Sequence, residues 1–553
     1  MGKNIFLETG AMVTRCNGTL DGLMQQFRDR AIRNIHTNVH QIAEDLALQG
    51  IAYADGAGLN TTKTCLDGTR ILILSEIVDW IEDCTPEAPR IFWLHGNAGK
   101  GKSAIAHTIA VQYQNMGRLG SCFCFTRTSH TERRHEKLFT TIARDLADRD
   151  VWLRQALAEA LSNHHSLKGT RDVMQQWQEL VLGPLSKWRP VLGNVVVVID
   201  ALDESGGERT RKHILDILSS QVMALPANIR ILLTSRPLHD IHDTLRHAKH
   251  VVSRSLDDIP ASTAEDDIRL YISKKLGGLG EGFRAQEFTH LAQKSDGLFE
   301  WARLACEFIS MRKPGHTPIQ RFRAIMSQAP ERAGRTLLDE MYTAILGDTL
   351  GPTPEALTQF RSVMRQILGI REPLTIDSLN ALRYRTCAGE DGVGVESILE
   401  FMASLLSGIA DRSTAVRPLH ASFHDYLIDP ERSGEFWVDM RGIHDELSFA
   451  CLRVMYDLSF NICGLETSYA LNANIKDLDE KVRRNIHPHL SYACRFWASH
   501  LEEAVFEQSL AREVVHFLIS ERILFWVEAL TLLKALGNAS GALAAVAAWL
   551  EVG

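Results

Sequence analysis

A chain of 553 residues is longer than one hydrophobic core can serve, so about three to five domains are expected. Its 45% apolar and 23% charged residues are those of an ordinary globular protein. A net charge of −8 with no block of like charge argues against a dedicated nucleic-acid surface.

The N-terminus MGKNIFLETG lacks the apolar segment of a signal peptide, and Phe6 stands where a myristoylation signal needs Ser or Thr. The longest apolar runs, such as GALAAVAAWL, reach about half a membrane span. The expectation is a cytoplasmic chain with no membrane span and no nucleic-acid partner, whose sequons at Asn17, Asn60 and Asn538 stay unmodified. Ten scattered cysteines without a CxxC pair read as reduced, buried thiols, with Cys122 and Cys124 on one face of the strand-like SCFCF.

In chain order, residues 20–50 space their apolar side chains as a helix does. His36 and His40 lie four apart there, but Thr37 stands where a zinc-protease motif has Glu, so no metal is expected. From about 65 to 240, strands alternate with helices. ILILSEIVDWI reads as a helix, RIFWLHG as a strand, SAIAHTIAVQY as a helix and SCFCFTR as a strand. Two helices, HEKLFTTIARDLA and VWLRQALAEAL, precede the strand NVVVVIDALDE, the helix RKHILDILSSQV and a last strand IRILLTSRP. Continuous apolar strands between helices predict a parallel sheet covered on both faces. Beyond Pro237 strand signals thin and the remainder reads as mainly helical, with shorter apolar pieces before RPLHASFHDYLID.

Three segments carry chemistry. Gly96-Asn97-Ala98-Gly99-Lys100-Gly101-Lys102-Ser103 fits the Walker A pattern G-x-x-x-x-G-K-[ST] between a strand and a helix. Glycines let successive N–H groups turn toward phosphate oxygens, and the helix adds its positive end. Only Lys102 precedes a hydroxyl residue, so it is the expected phosphate lysine and Ser103 the Mg2+ ligand; Lys100 is expected as a surface charge on the rim. The run Val195–Ile199 ends in Asp200, whose carboxylate can hold Mg2+ opposite Ser103. Asp203 or Glu204 can then orient or deprotonate the attacking water. Arg236, closing ILLTSRP, can read a terminal phosphate and stabilise transferred charge.

Together these residues resemble the NACHT group of the STAND class of P-loop NTPases. Asp200-Ala201-Leu202-Asp203-Glu204 has that group's acidic spacing, and CLDGTR, CFCFTR, SDGLFEWA and HPHLSYACRFWASHL resemble segments of fungal NLR-like members. The resemblance implies an α/β P-loop NTPase domain, a parallel sheet with helices on both faces, followed by helical and winged-helix domains, mostly α overall. It divides the chain into an N-terminal helical segment (1–63), the nucleotide-binding domain (64–240), a small helical domain (241–332), a winged-helix-like domain (333–432) and a C-terminal helical domain (433–553). It also implies that His420, in PLHASFHDYL, contacts the β-phosphate of bound ADP. Phe299 occupies a place where many relatives carry a proline near the adenine.

The family's C-terminal repeats and N-terminal effector domain have no counterpart legible in these residues. The expectation is a truncated product, a fragment, or a member working with a separate sensor or effector protein. The function implied is a signalling switch that binds ATP or ADP with Mg2+, hydrolyses slowly and forms homo-oligomers on activation, in non-self recognition, innate immunity or regulated cell death. No Asn/Thr-Lys-x-Asp motif follows the strands, which favours ATP over GTP. The alternatives are a constitutive P-loop ATPase or kinase, for which no arginine-rich lid is visible, and a non-catalytic scaffold stabilised by nucleotide.

Overall fold

The computed structural model describes residues 43–551 apart from 127–134, 189–192, 280–282, 312–316, 328–335, 352, 387–393, 401, 410, 468–470 and 473–474, together with residues 24, 25 and 28. Of the helix expected over 20–50, the described residues 24, 25, 28 and 43–48 are helical; His36 and His40 lie outside the described residues.

Five strands form one parallel sheet in the order β2-β3-β4-β1-β5. They are β1 (Ile91–His95), β2 (Leu119–Cys124), β3 (Val195–Asp200), β4 (Ile229–Ser235) and β5 (Val251–Ser255). The alternation of side chains along each strand sorts the apolar residues onto two faces. Ile91, Trp93, Val195, Val197, Ile199, Ile231 and Leu233 pack under helices such as Leu138–Arg149 and Val151–Asn163. Phe92, Leu94, Val196, Val198 and Leu232 pack against the helices Ile71–Glu82 and Lys102–Asn115. Both faces are therefore covered, as the continuous apolar runs predict.

One expectation needs correction. IRILLTSRP is not the last strand: β5 follows and pairs with β1 along Ile91↔Val251 to His95↔Ser255. The sheet thus runs past residue 240, into the stretch expected to be helical. The cause is local. VVSRS lies at the sheet edge with its residues mostly half-buried, so it lacks the unbroken apolar run that marked the central strands.

The remainder is helical around a third core that extends from Ile268 to Trp549. Within SDGLFEWA the left-handed Asp296 and Gly297 separate two helices, Ala285–Lys294 and Phe299–Ser310. Helices Leu337–Leu350, Pro354–Gly369 and Ile376–Thr386 precede a two-stranded antiparallel hairpin, β6 (Leu406–Ser407) with β7 (Arg417–Pro418). The helix Ala421–Leu427 follows it. Among the described residues no helix is long and apolar enough to cross a membrane.

Helices Ile443–Met455 and Pro488–Leu501 hold a chain of polar contacts that runs from buried Tyr492 and His500 to exposed Glu503. His444 Nδ1 lies 2.9 Å from His500 Nδ1, Tyr492 Oη lies 2.7 Å from His500 Nε2, and His444 Nε2 lies 3.1 Å from Glu503. Burial, with Arg371 and His444 adding to it, holds His500 well below its ordinary 6.5. The unfolded chain therefore takes up a proton near pH 6.5 that the folded chain refuses. Stability is full above that pH and falls by about 1.4 kcal/mol per unit below it. Melting temperature is expected to drop between pH 7 and 5, and the slope to flatten in His500→Gln; an unchanged slope in that variant removes His500 from the cause.

Candidate nucleotide site

Strand β1 delivers the chain into the loop Gly96–Gly101, and the helix Lys102–Asn115 starts at once behind it. Gly99 and Gly101 adopt φ of +81° and +92°, a region that side-chain-bearing residues rarely enter. A Cβ at Gly101 would meet nothing within 4 Å, so the glycine leaves open the space before the helix N-terminus, where backbone N–H groups point. A Cβ at Gly99 would lie 3.2 Å from Glu300 Cβ and 3.3 Å from Leu338 Cδ1. Gly99→Ala is therefore expected to cost about 1–3 kcal/mol of stability and to loosen the contact of the loop with the later helices. Thermal melting and hydrogen exchange at the Glu300 amide, which donates to Gly99 O at 3.1 Å, test this; unchanged melting and protection would contradict it.

Lys102 Nζ donates to Gly96 O at 2.7 Å and Asn97 O at 2.9 Å, so the ammonium is folded into the loop. Burial lowers its pKa, opposed by Asp203. Lys100 is not the exposed rim charge expected of it. Its side chain is 20% exposed and its Nζ lies 3.8 Å from Asp257, a residue whose carboxylate also accepts from Asn97 N–H at 3.3 Å. Strand β5, absent from the sequence-based expectation, delivers Asp257 to this position.

Ser103 Oγ donates to Asp200 Oδ1 at 3.1 Å, across the end of β3. Thr234 Oγ1 donates to the same carboxylate oxygen and accepts from Ala201 N–H at 2.9 Å. A hydroxyl and a carboxylate converging in this way are the hard oxygen donors that suit Mg2+. Asp203 is occupied differently: its carboxylate accepts from Arg236 N–H at 3.0 Å and pairs with Arg236 Nε at 3.2 Å. Glu204 sits in the short turn Leu202–Glu204, less buried than Asp203.

Arg236 also reaches across the molecule. Its Nη1 donates to Asp425 Oδ2 at 2.9 Å, over 189 residues of chain. Burial opposes its charge, but Asp425 and Asp203 outweigh burial and hold the guanidinium above its ordinary pKa. Asp425 lies on the helix Ala421–Leu427, and His420 caps that helix: Ser422 N–H donates to His420 Nδ1 at 3.2 Å. With Nδ1 accepting, Nε2 carries the ring proton. Burial lowers the pKa of His420; Glu300 raises it, and Arg236, Arg303 and Lys102 lower it.

The structure thus gathers Gly96–Ser103, Asp200, Asp203, Arg236 and His420 around the C-terminal ends of the strands, where β1 sits between β4 and β5. Four neighbours were missed. Asp425 lies within FHDYL and Glu300 within SDGLFEWA, segments notable in the sequence for resemblance alone. Thr234 precedes Ser235-Arg236 on β4. Arg70 has φ +59°, donates from Nη2 to Lys100 O at 2.9 Å and lies 4.5 Å over the ring of Phe299.

The chain is similar to several known proteins. The family model described as nephrocystin 3, N-terminal, matches residues 68–236, the span from the turn before Arg70 to Arg236. Vegetative incompatibility protein HET-E-1 of Podospora anserina is 22% identical over 496 residues, covering 81% of this chain and 34% of that protein. The chain therefore spans about a third of the length of this curated relative. A solved STAND signal-transduction ATPase with a tetratricopeptide-repeat sensor, from Pyrococcus horikoshii, is 11% identical, with a TM-score of 0.37 over 88% of this chain and 65% of that one. With its parallel sheet, phosphate-loop sequence and family match over residues 68–236, the chain resembles the NACHT/STAND-type P-loop NTPases.

Proposed function

We propose that the chain is a nucleotide-gated signalling switch, in which ADP holds a closed monomer and ATP with Mg2+ opens it for self-association. The observation that carries this reading is Arg236, ion-paired at once to Asp203 beside it and to Asp425 on the distant helix. A cation at the strand end that grips a later helix makes closure depend on what else competes for that cation.

The residues divide the work as follows. Loop amides and Lys102 bind and orient the phosphates; Ser103 and Asp200 would hold Mg2+, which supplies charge neutralisation between the phosphates. Asp203 positions Arg236. Glu204, in the short turn after Asp200, orients the attacking water. His420, with its proton on Nε2, donates toward the β-phosphate, and Arg236 reads the terminal one. The hairpin β6–β7 and the helices before it form the winged-helix element of the switch. The relative's role in vegetative incompatibility points to fungal non-self recognition as the setting, with a separate sensor or effector as partner.

Denaturing the purified chain and identifying the released nucleotide tests the reading, with mass measured by light scattering before and after ATP and Mg2+. ADP in a monomer, converting to an oligomer, is the expected result. A nucleotide-free chain whose melting temperature ignores ATP and Mg2+ would overturn it, and rapid unassisted turnover would favour a constitutive ATPase.

A further inference from the structure

Behind the phosphate loop the sheet carries a second cluster that nucleotide handling does not use. His107, Cys122 and Cys124 are all buried, and their Nε2 and two Sγ atoms lie within 4.8 Å of one another. The eight cysteines among the described residues are all thiols. Cys122 and Cys124 share one face of β2, and His107 projects from the helix Lys102–Asn115 packed on that face. Cys124 Sγ lies 3.6 Å from His107 Nε2. Zinc bonds of about 2.3 Å to sulfur and about 2.0 Å to nitrogen, at a tetrahedral angle, separate those two atoms by about 3.5 Å.

We propose that His107, Cys122 and Cys124 form a binding site for one thiophilic divalent cation, zinc, beneath the phosphate loop. Two thiolates and an imidazole are three of the four ligands of a tetrahedral zinc, and the donor set is too soft for Mg2+. The Gly58 carbonyl oxygen, 3.9 Å from Cys124 Sγ, is within reach of the fourth position.

Oxidation to a disulfide is the competing chemistry, and both sulfurs are buried away from solvent.

Loading has a structural consequence. Asn60 N–H donates to His107 Nδ1 at 3.2 Å, so in the metal-free chain the ring proton is on Nε2. Binding at Nε2 moves that proton to Nδ1, which can then no longer accept from Asn60. The balance is one Zn2+ and two thiols in, two Zn–S bonds and one Zn–N bond formed, and two protons released, with the imidazole neutral throughout. The strap that carries Asn60 also covers the sulfurs, since Cys124 N–H donates to Ala57 O at 2.8 Å. Metal therefore exchanges one of the strap's holds for a bond below the loop. His107 is one helical turn past Ser103, and Cys124 pairs in register with Asp200, so the site and the Mg2+ ligands share two elements.

The test uses the full chain, purified and stripped with a chelator, then titrated with Zn2+ and with Co2+ as the coloured probe. Expected are one metal per chain, thiolate-to-cobalt charge-transfer absorption, and release of two protons. Loss of affinity should exceed about 100-fold in Cys124→Ser and in the double variant Cys122→Ser/Cys124→Ser. Faster hydrogen exchange at the Asn60 amide is expected on loading of the wild type and not of the variants. Nucleotide retention by the variants shows that they remain folded; should a variant lose it, His107→Asn provides the second case. No stoichiometric binding, binding that survives in a folded variant, or unchanged Asn60 exchange on loading would overturn the proposal.

Discussion

Lys102→Ala is expected to abolish nucleotide retention during purification and to weaken ADP and ATP binding by roughly 100-fold or more. Charge-assisted hydrogen bonds are worth about 1.5–3 kcal/mol each, and the ammonium is placed to give two of its three donors to phosphate oxygens once it leaves the carbonyls of Gly96 and Asn97. The fold should survive the change. Burial already disfavours the Lys102 cation, so removing it costs the apo chain little and relieves desolvation. Lys100→Ala is the matched control. Its ammonium belongs with Asp257 at 3.8 Å, outside the register of the motif, and its loss should change affinity less than about fivefold, as a partly exposed pair does. Calorimetric titration of both variants separates the two lysines. Equal losses, or nucleotide retained by Lys102→Ala, would show that the register argument fails.

The contrast between the two lysines also shows how far the sequence could be read. The phosphate loop, the Asp200 strand and the Arg236 strand end are each local: one contiguous segment contains the strand, the turn and the reactive side chain. An apolar run announces the strand, and the strand aims the residue that ends it. Strand β5 fails this rule because an edge strand needs only one apolar face, and VVSRS supplies no continuous run. With β5 missed, Asp257 was missed, and Lys100 was assigned to solvent. The partners of Arg236 and His107 lie further from what a pattern can show. Asp425 is 189 residues from Arg236, and nothing in the composition of FHDYL distinguishes a carboxylate that crosses the molecule from one that faces water. Cys122 and Cys124 were legible as a same-face pair. Their histidine was not, because it arrives on a different element through helix-on-sheet packing.

Asp425→Ala is expected to open the closed state. The carboxylate is 16% exposed and Arg236 23%, so the pair is largely shielded from water but not fully desolvated. Deleting the acid strands one guanidinium nitrogen while Asp203 still holds Nε and the backbone N–H of the same residue. Arg236 therefore stays in place, and the loss falls on the helix Ala421–Leu427 rather than on the sheet. A penalty of about 2 kcal/mol shifts the closed-to-open ratio roughly 30-fold. That helix also carries the His420 cap, so its release moves the imidazole at the same moment. Faster ADP release and self-association without added ATP should follow together, measured by stopped-flow with a fluorescent nucleotide and by light scattering. Asp425→Asn, which keeps a neutral acceptor, should fall between the two. Arg236→Ala completes a double-mutant cycle: the coupling should carry most of the Asp425→Ala effect, because Asp425 meets Arg236 at 2.9 Å but the neighbouring His424 only at 3.9 Å. Additive effects, or an ADP release rate untouched by Asp425→Ala, would mean that the ion pair is a passive contact. The trigger would then have to lie in His420 alone.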